Sequence, residues 1–309
     1  MLAETAIGGY GLARILVTGA AGFIGRVLCR TLAAHGHDVA GAVRAVTGPV
    51  DGAHLLGLGS FGPGTDWARA LDGAEIVCHL GQRAHRKGDV RGEPETAAAL
   101  ARAALRAGAR RLVYLSSINA MGTASPPGRP FRAGDEPRPQ DAYGRGKIAT
   151  ERALAAVSGI ELAVIRPPLV YGPGVGANFR ALMRLAASGL PVPLGGIDNR
   201  RSLIFVENLA DLIAAAALHP GAAGQVLLVR DGQDVSTPAL VRALAAALGV
   251  PARLFRWPGI GFAVPALTRT LQVDDAPTRA RLGWSPPVSF AAGLAATAAS
   301  FRDAPALYR

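Results

Sequence analysis

Residues 14–25 read Arg-Ile-Leu-Val-Thr-Gly-Ala-Ala-Gly-Phe-Ile-Gly, and this stretch decides the fold. Its apolar start, residues 14–17, is typical of a fully buried strand. A turn containing Gly19, Gly22 and Gly25 follows and runs directly into a helical pattern. Glycines at these points allow a tight turn, a close approach of the backbone to a pyrophosphate, and packing of helix on strand. A strand before and a helix after make the turn typical of a dinucleotide-binding loop.

Strands and helices alternate through the first two thirds of the chain. Strands separated by helices form βαβ units and a parallel sheet covered on both faces. Right-handed crossovers then favour a Rossmann-type doubly wound α/β sheet. The predicted strands are 14–17, 38–43, 75–80, 111–115, 161–165 and 224–228, and the predicted helices are 26–34, 95–107, 142–156, 178–187 and 206–218.

The chain divides into three predicted parts. Residues 1–13 lack periodicity and are predicted to be a tail, and residues 14–172 are predicted to be the dinucleotide-binding domain. Past Tyr171, proline and glycine break the regular alternation. We therefore expect residues 173–309 to form mainly a smaller, irregular C-terminal substrate lobe, with 202–228 returning to the main domain.

Composition restricts the class of protein. With 50% hydrophobic and 18% charged residues, the chain is typical of a globular protein, and charged residues and prolines interrupt every long apolar stretch. We expect no membrane span, no secretory leader, and a cytoplasmic location. The net charge of +11 comes from scattered arginines, so we expect no nucleic-acid partner, although the field favours an anionic ligand. Cys29 and Cys78 are predicted to be buried apolar residues, and no metal site is expected.

The end of the second predicted strand bears on which dinucleotide is bound. An acidic residue there would bind the ribose 2′-hydroxyl, whereas an arginine would bind a 2′-phosphate. This strand ends Ala42-Val43-Arg44, so Arg44 favours NADP(H), with NAD as the open alternative. In an arginine-rich chain, Arg44 can also be an ordinary surface residue. The cofactor contacts predicted up to this point in the chain are Gly19, Gly22, Phe23, Ile24, Gly25, Arg44 and Leu80.

A candidate proton-transfer pair lies on the predicted helix 142–156. Tyr143 and Lys147 are four residues apart, which places a phenol and an ammonium on one face, one turn from each other. A nearby cation stabilises phenolate, so we expect the pKa of Tyr143 to fall from about 10 toward neutral pH. The chain has only two lysines among its 33 basic residues, which suggests that the compact ammonium of Lys147 matters.

Two serines follow the strand 111–115. Ser116 and Ser117 lie at the carboxyl edge of the predicted sheet, where ligands bind in open α/β folds. A hydroxyl there can hydrogen-bond a reacting carbonyl oxygen and stabilise developing charge. A turn or helix cap is the alternative role for such a serine.

The glycine loop, Leu115-Ser116-Ser117, the Tyr143/Lys147 pair and the segment 166–174 together resemble the extended short-chain dehydrogenases/reductases. The similarity runs from about Ile15 to the end and is strongest to the nucleotide-sugar epimerase/dehydratase group. Within that group, Asn178-Phe179, the segment 199–204 and the segment 282–287 resemble bacterial enzymes acting at C4 of UDP-N-acetylhexosamines. The resemblance implies Ser117, Tyr143 and Lys147 as the catalytic set, the last two also contacting the cofactor, and Ser117, Asn178 and Arg201 as substrate-binding residues.

The resemblance also implies an activity. We expect NADPH-dependent reduction of a UDP-4-keto-(6-deoxy)-N-acetylhexosamine, because Arg44 suits a 2′-phosphate and a net reductase draws on NADPH. A UDP-hexose or UDP-N-acetylhexosamine 4-epimerase with tightly bound NAD is the first alternative, and a non-catalytic dinucleotide-binding regulator is the second. A homodimer is also implied. One departure is a shortened segment between His79 and Glu95, in which the family's usual asparagine is not visible and Arg91 is the nearest occupant.

Overall fold

The central feature of the fold is a seven-stranded sheet in which all neighbouring strands run parallel. It is seen in a computed structural model that describes residues 11–80, 92–126, 128–259 and 264–303, with only the backbone described for 177, 178 and 265. The strand order is β3-β2-β1-β4-β5-β6-β9. The chain therefore reverses direction across the sheet between β1 and β4, which confirms the predicted doubly wound fold.

The elements have the following bounds. The strands of the large sheet are β1 (Arg14–Thr18), β2 (Asp38–Val43), β3 (His54–Gly57), β4 (Ile76–His79), β5 (Arg111–Leu115), β6 (Glu161–Arg166) and β9 (Val226–Leu228). A smaller sheet contains β7 (Leu169–Tyr171), β8 (Arg201–Phe205) and β10 (Asp234–Val235). The helices are α1 (Phe23–Ala34), α2 (Ala68–Leu71), α3 (Glu93–Arg106), α4 (Ala142–Ala155), α5 (Ala177–Ala187), α6 (Val206–Leu218), α7 (Thr237–Leu248), α8 (Pro265–Thr268), α9 (Ala276–Leu282) and α10 (Phe290–Asp303).

Several of these elements differ from the sequence-based expectations. Helix α1 begins at Phe23, earlier than predicted, because Gly22 rather than a polar side chain ends the loop. The C-terminal part is more regular than expected, since α7, α9 and α10 lie there. Helix α7 has the start and stop signals of an ordinary helix, with Ser236 capping Ala239 N and Gly249 in the left-handed conformation. Among the described residues, no helix combines the length and hydropathy that crossing a membrane requires.

Helix α6 lies at the centre of the main core. All its residues except Glu207 are buried, and it packs against α1 and the strands of the large sheet. The strand that follows it, β9, pairs with β6 at the edge of that sheet. Residues of the C-terminal half are therefore part of the central sheet.

A buried arginine ties α6 to β5. The guanidinium Nη1 of Arg111 donates to the carbonyls of Ala216, Ala217 and His219 at 3.3, 3.1 and 2.7 Å, and Nη2 pairs with Glu161 at 2.6 Å. The last carbonyls of a helix have no partner within the helix. Arg111 supplies these donors and thereby fixes the strand that leads to Ser116 and Ser117.

We expect Arg111→Met to destabilise the protein strongly, because it leaves the α6 carbonyls buried without donors. The predicted loss is about 3–5 kcal/mol of unfolding free energy, measured by denaturant titration. Arg110→Met, at the exposed neighbouring position, is the matched control and should leave stability within about 0.5 kcal/mol of the parent. Equal midpoints for the two variants would refute the capping role.

Candidate functional site

The glycine loop joins β1 to α1 at the carboxyl edge of the sheet. Gly19 has φ +72°, a conformation that favours glycine, and its N–H donates to Ala42 O at 3.0 Å. A Cβ on Gly25 would lie 2.2 Å from Gly19 O, so only glycine lets α1 pack this closely on the turn. Gly22 is exposed at the start of the helix. The tight turn at Gly19 and the close packing at Gly25 agree with the sequence, whereas the approach of Gly22 to a pyrophosphate stays a prediction.

The surroundings of this loop suit a dinucleotide. The first turn of α1 carries no acidic side chain and no side-chain cap, so its backbone N–H groups are available to an anion. Phe23 and Ile24 are half-buried against the core, and Arg44 is exposed directly after β2. The Oγ1 of Thr18 accepts from Leu80 N at 3.2 Å, which ties the end of β4 to that of β1. The predicted cofactor residues of this half therefore lie around one sheet edge.

Ser117 lies directly past β5, at the start of the 3-10 turn 118–120. Its hydroxyl accepts from Asn119 N at 3.2 Å and hydrogen-bonds the phenol of Tyr143. Ser117 is therefore both a turn cap, the alternative role considered from the sequence, and a partner of Tyr143. Its contact with a reacting carbonyl oxygen stays a prediction.

Helix α4 is held unusually close to that turn. Asp141 caps the helix by accepting from Gly144 N at 2.6 Å, and Asn119 Nδ2 donates to Asp141 Oδ2 at 2.9 Å. A Cβ on Gly144 would lie only 2.1 Å from Asn119 O. Real side chains do not tolerate such a distance, so glycine is required between Tyr143 and Arg145. This requirement was missed in the sequence, where Gly144 reads only as a spacer.

The phenol of Tyr143 is less acidic than the sequence predicts. Burial raises its pKa to about 12, the hydrogen bond with Ser117 lowers it, and the charges of Glu93 and Asp141 raise it further. The expectation that Lys147 brings this pKa toward neutrality is therefore wrong for the unliganded protein. Desolvation is the largest cause of this shift, because a phenolate in this environment loses most of its hydration.

Lys147 is 5% exposed and lies under the Tyr143 ring. Its Nζ donates to Leu115 O at 3.0 Å and lies 5.6 Å from the centroid of the Tyr143 ring and 5.1 Å from that of Tyr114. Burial lowers its pKa to about 8, whereas the charges of Glu93 and Glu151 raise it. At neutral pH the ammonium form still predominates, so the pair is a neutral phenol above a cation.

A buried ionic cluster lies beneath this pair and was missed in the sequence. Glu151 pairs with Arg166, Nη2 to Oε2 at 2.5 Å and Nε to Oε1 at 3.0 Å, and Ser116 Oγ also donates to Glu151 Oε1. The spacing of Glu151, four residues after Lys147, is the sequence signal that places it on the same helix face. Its partner Arg166, on β6, gives no local signal.

The predicted substrate residues lie on the smaller sheet and α5. Arg201, the first residue of β8, donates through Nη1 to Ala266 O at 2.7 Å and Arg269 O at 3.3 Å, and burial lowers its pKa. Asn178 lies in the first turn of α5, and its side chain is outside the described residues. The shortened segment, with Arg91, also falls largely outside them. Binding of a diphosphate by Asn178 and Arg201 stays a prediction.

The arrangement can exchange a proton with an oxygen atom placed beside Ser117 and Tyr143. The serine hydroxyl orients that oxygen, the phenol transfers the proton, and the ammonium of Lys147 stabilises the phenolate that remains. A dinucleotide on the glycine loop would bring a redox group to the same carboxyl edge. The site therefore combines proton transfer with a place for hydride chemistry.

The chain is similar to known proteins over most of its length. A family model described as "NAD dependent epimerase/dehydratase family" matches residues 15–229. The chain is 39% identical to the UDP-glucose 4-epimerase of Vibrio cholerae over 94% of this chain and 96% of the relative. It is 32% identical to the dTDP-4-dehydrorhamnose reductase of Mycobacterium tuberculosis over 69% and 68% of the two chains. The solved structure of MoeE5 with UDP-glucose and NAD superimposes with a TM-score of 0.75, at 26% identity over 94% and 98% of the chains.

We expect Gly144→Ala to push the first turn of α4 away from the turn 118–120, because its methyl group would overlap Asn119 O. The predicted cost is about 1–3 kcal/mol of unfolding free energy, as for other overpacked sites. Gly134→Ala is the control, since nothing lies within 4 Å of a Cβ there. If chemical denaturation finds both variants as stable as the parent, the close approach of Gly144 is not a constraint.

Proposed function

The chain belongs to the NAD-dependent epimerase/dehydratase family, and we propose that it catalyses oxidoreduction at C4 of a UDP-hexose, as a 4-epimerase that retains NAD. The observation that carries this proposal is the Ser117–Tyr143 hydrogen bond above Lys147, at the same carboxyl edge of the sheet as the glycine loop. The Vibrio cholerae relative, a UDP-glucose 4-epimerase, supports the choice of reaction because the similarity spans nearly the whole of both chains.

The proposed chemistry assigns each side chain one task. NAD supplies a two-electron acceptor for the hydrogen at C4. Tyr143 removes the proton of the 4-hydroxyl and returns it after the keto sugar has rotated in the site. Ser117 holds the same oxygen throughout. Lys147 stabilises the phenolate between these two proton transfers. Epimerisation follows because the keto sugar is reduced on its other face.

We propose that the sugar nucleotide lies between the smaller sheet and the carboxyl edge of the large sheet, where Ser117 and Tyr143 lie. Arg201 and Asn178 are the residues we assign to the diphosphate. The assignment of Arg201 rests on the match between a guanidinium and phosphate oxygens and on the low solvation of this group. Backbone carbonyls occupy its Nη1, so its remaining N–H groups would make the phosphate contacts.

A second candidate is an NADPH-dependent reductase of a UDP-4-keto-N-acetylhexosamine. Two observations favour it: Arg44 is exposed after β2, where a 2′-phosphate would lie, and Tyr143 is a protonated phenol at neutral pH, ready to donate. The similarity to a dTDP-4-dehydrorhamnose reductase is consistent with it. An epimerase, in contrast, must first generate the phenolate, which Lys147 and the positive nicotinamide ring of NAD would both favour.

We expect the purified protein to convert UDP-glucose or UDP-N-acetylglucosamine into its C4 epimer without added cofactor, as followed by NMR of the anomeric proton. Tyr143→Phe should lower kcat by about 10² to 10⁴, because it removes only the proton-transfer group. Retained binding of the dinucleotide by this variant, measured by calorimetry, is the control.

The same assay separates the two candidates. Release of NAD on denaturation and turnover without added reductant support the epimerase. Turnover only of 4-keto sugars, with stoichiometric consumption of NADPH, contradicts it and supports the reductase. Unchanged turnover in Tyr143→Phe would contradict both.

A further inference from the structure

Lys147 lies in an environment that works against its charge. It is 5% exposed, and burial lowers its pKa to about 8. An ammonium is nevertheless what the proposed reaction requires, because a neutral amine would not stabilise a phenolate at Tyr143. The groups around Lys147 therefore decide how far its pKa falls and how much of the ammonium remains near neutral pH.

The groups that face Lys147 come from four elements. The rings of Tyr114, on β5, and Tyr143, on α4, are neutral. His79, at the end of β4, is also neutral, because burial and Lys147 lower its pKa to about 3. The charges that favour the ammonium are the carboxylates of Glu93, on α3, and Glu151, on α4.

The contacts of the Glu151 carboxylate fix its geometry. It lies one turn from Lys147 on the same face of α4 and is 7% exposed. Arg166 binds it through two nitrogens, at 2.5 and 3.0 Å, and Ser116 donates to it. A bidentate pair of this kind holds the carboxylate in one orientation. Glu151 cannot swing away from Lys147 without breaking these contacts.

Glu151 also touches the turn that carries Ser117. Ser116 Oγ donates to Glu151, and Ser116 N donates to Ile165 O at 2.8 Å, so both side chain and backbone of this residue are held. The neighbouring residue Leu115 accepts the Lys147 hydrogen bond through its carbonyl oxygen. One carboxylate therefore lies under both the lysine and the serine turn.

We propose that Glu151, held by Arg166, is a positioning residue that acts on the catalytic set from beneath, through Lys147 and the Ser116–Ser117 turn. This inference rests on the proposed function for its effect on turnover. Its effect on Lys147 itself is independent of that function. The two can therefore be tested separately.

The direct test uses the scarcity of lysine. The chain contains only Lys87 and Lys147, so a protein labelled with ¹³C at the lysine Cε gives two lysine signals, and Lys87→Arg assigns them. Glu151→Gln removes the charge but keeps an oxygen that can accept from Arg166 or Ser116. We expect the titration midpoint of Lys147 to fall by about one pH unit in this variant, since loss of a nearby carboxylate disfavours the ammonium.

The kinetic test follows from the sign of that shift. Activity that needs the ammonium is lost as pH rises through the Lys147 pKa, so the alkaline limb of kcat/KM should move to lower pH by the same interval. Turnover at pH 7 should fall about twofold through this loss of protonation, because a midpoint lowered from about 8 to about 7 leaves about half of the lysine charged. Glu207→Gln, at a surface carboxylate paired with Arg30 at 2.9 Å, is the control and should leave the limb in place.

Glu151→Asp keeps the test decisive if the glutamine variant does not fold. It retains the charge on a shorter side chain, so the Lys147 midpoint should stay near that of the parent while kcat falls. A Lys147 midpoint unchanged in Glu151→Gln, or one lowered equally in Glu151→Asp, would overturn the proposal. Absence of turnover in the parent would instead refute the proposed function, and the lysine titration would still report on Glu151.

Discussion

The contact between α4 and the turn after β5 is the constraint on which the rest of the site depends. The backbone of Gly144 lies so close to Asn119 O that no side chain fits between them. Asp141 closes the same junction from the other side by accepting from both Gly144 N and Asn119 Nδ2. This junction sets the distance from Tyr143 to Ser117, and Lys147 follows one turn later on the same face. Small changes here would move the three proposed catalytic side chains together.

Burial dominates the electrostatics of this site. It raises the pKa of Tyr143 and lowers that of Lys147, so each residue is moved away from its charged form. The unliganded protein therefore holds a neutral phenol over a cation that depends on nearby carboxylates. A bound positive ring would shift this balance toward phenolate, whereas a neutral reduced cofactor would not. In the proposed reactions, Tyr143 would therefore accept a proton beside an oxidised cofactor and donate one beside a reduced cofactor.

The sequence predicted those features that arise from local patterns. The glycine loop follows from the spacing of three glycines between a strand and a helix, and the pairing of Tyr143 with Lys147 follows from the helical repeat. The sequence did not predict the partner of Glu151, because Arg166 lies on another element and only the folded sheet brings the two together. The prediction that the Tyr143 pKa falls toward neutral pH was wrong for a related reason, since the burial of this phenol depends on the whole fold. The elements α7, α9 and α10 were missed because proline and glycine near them resemble irregular structure.

The segment after α8 connects the loop that follows the Ser117 turn with the smaller sheet. Ser125 N donates to Thr270 O at 3.0 Å and Phe131 N to Gln272 O at 2.8 Å, while Ser202 N donates to Leu271 O at 2.9 Å. Residues 270–272 therefore bind, on one side, the loop that follows the Ser117 turn and, on the other, the strand that begins with Arg201. Because these hydrogen bonds join backbone groups, they fix the two parts in one register that does not depend on the side chains. The distance between the Ser117 turn and Arg201 is therefore set by the backbone and does not depend on the side chains around it.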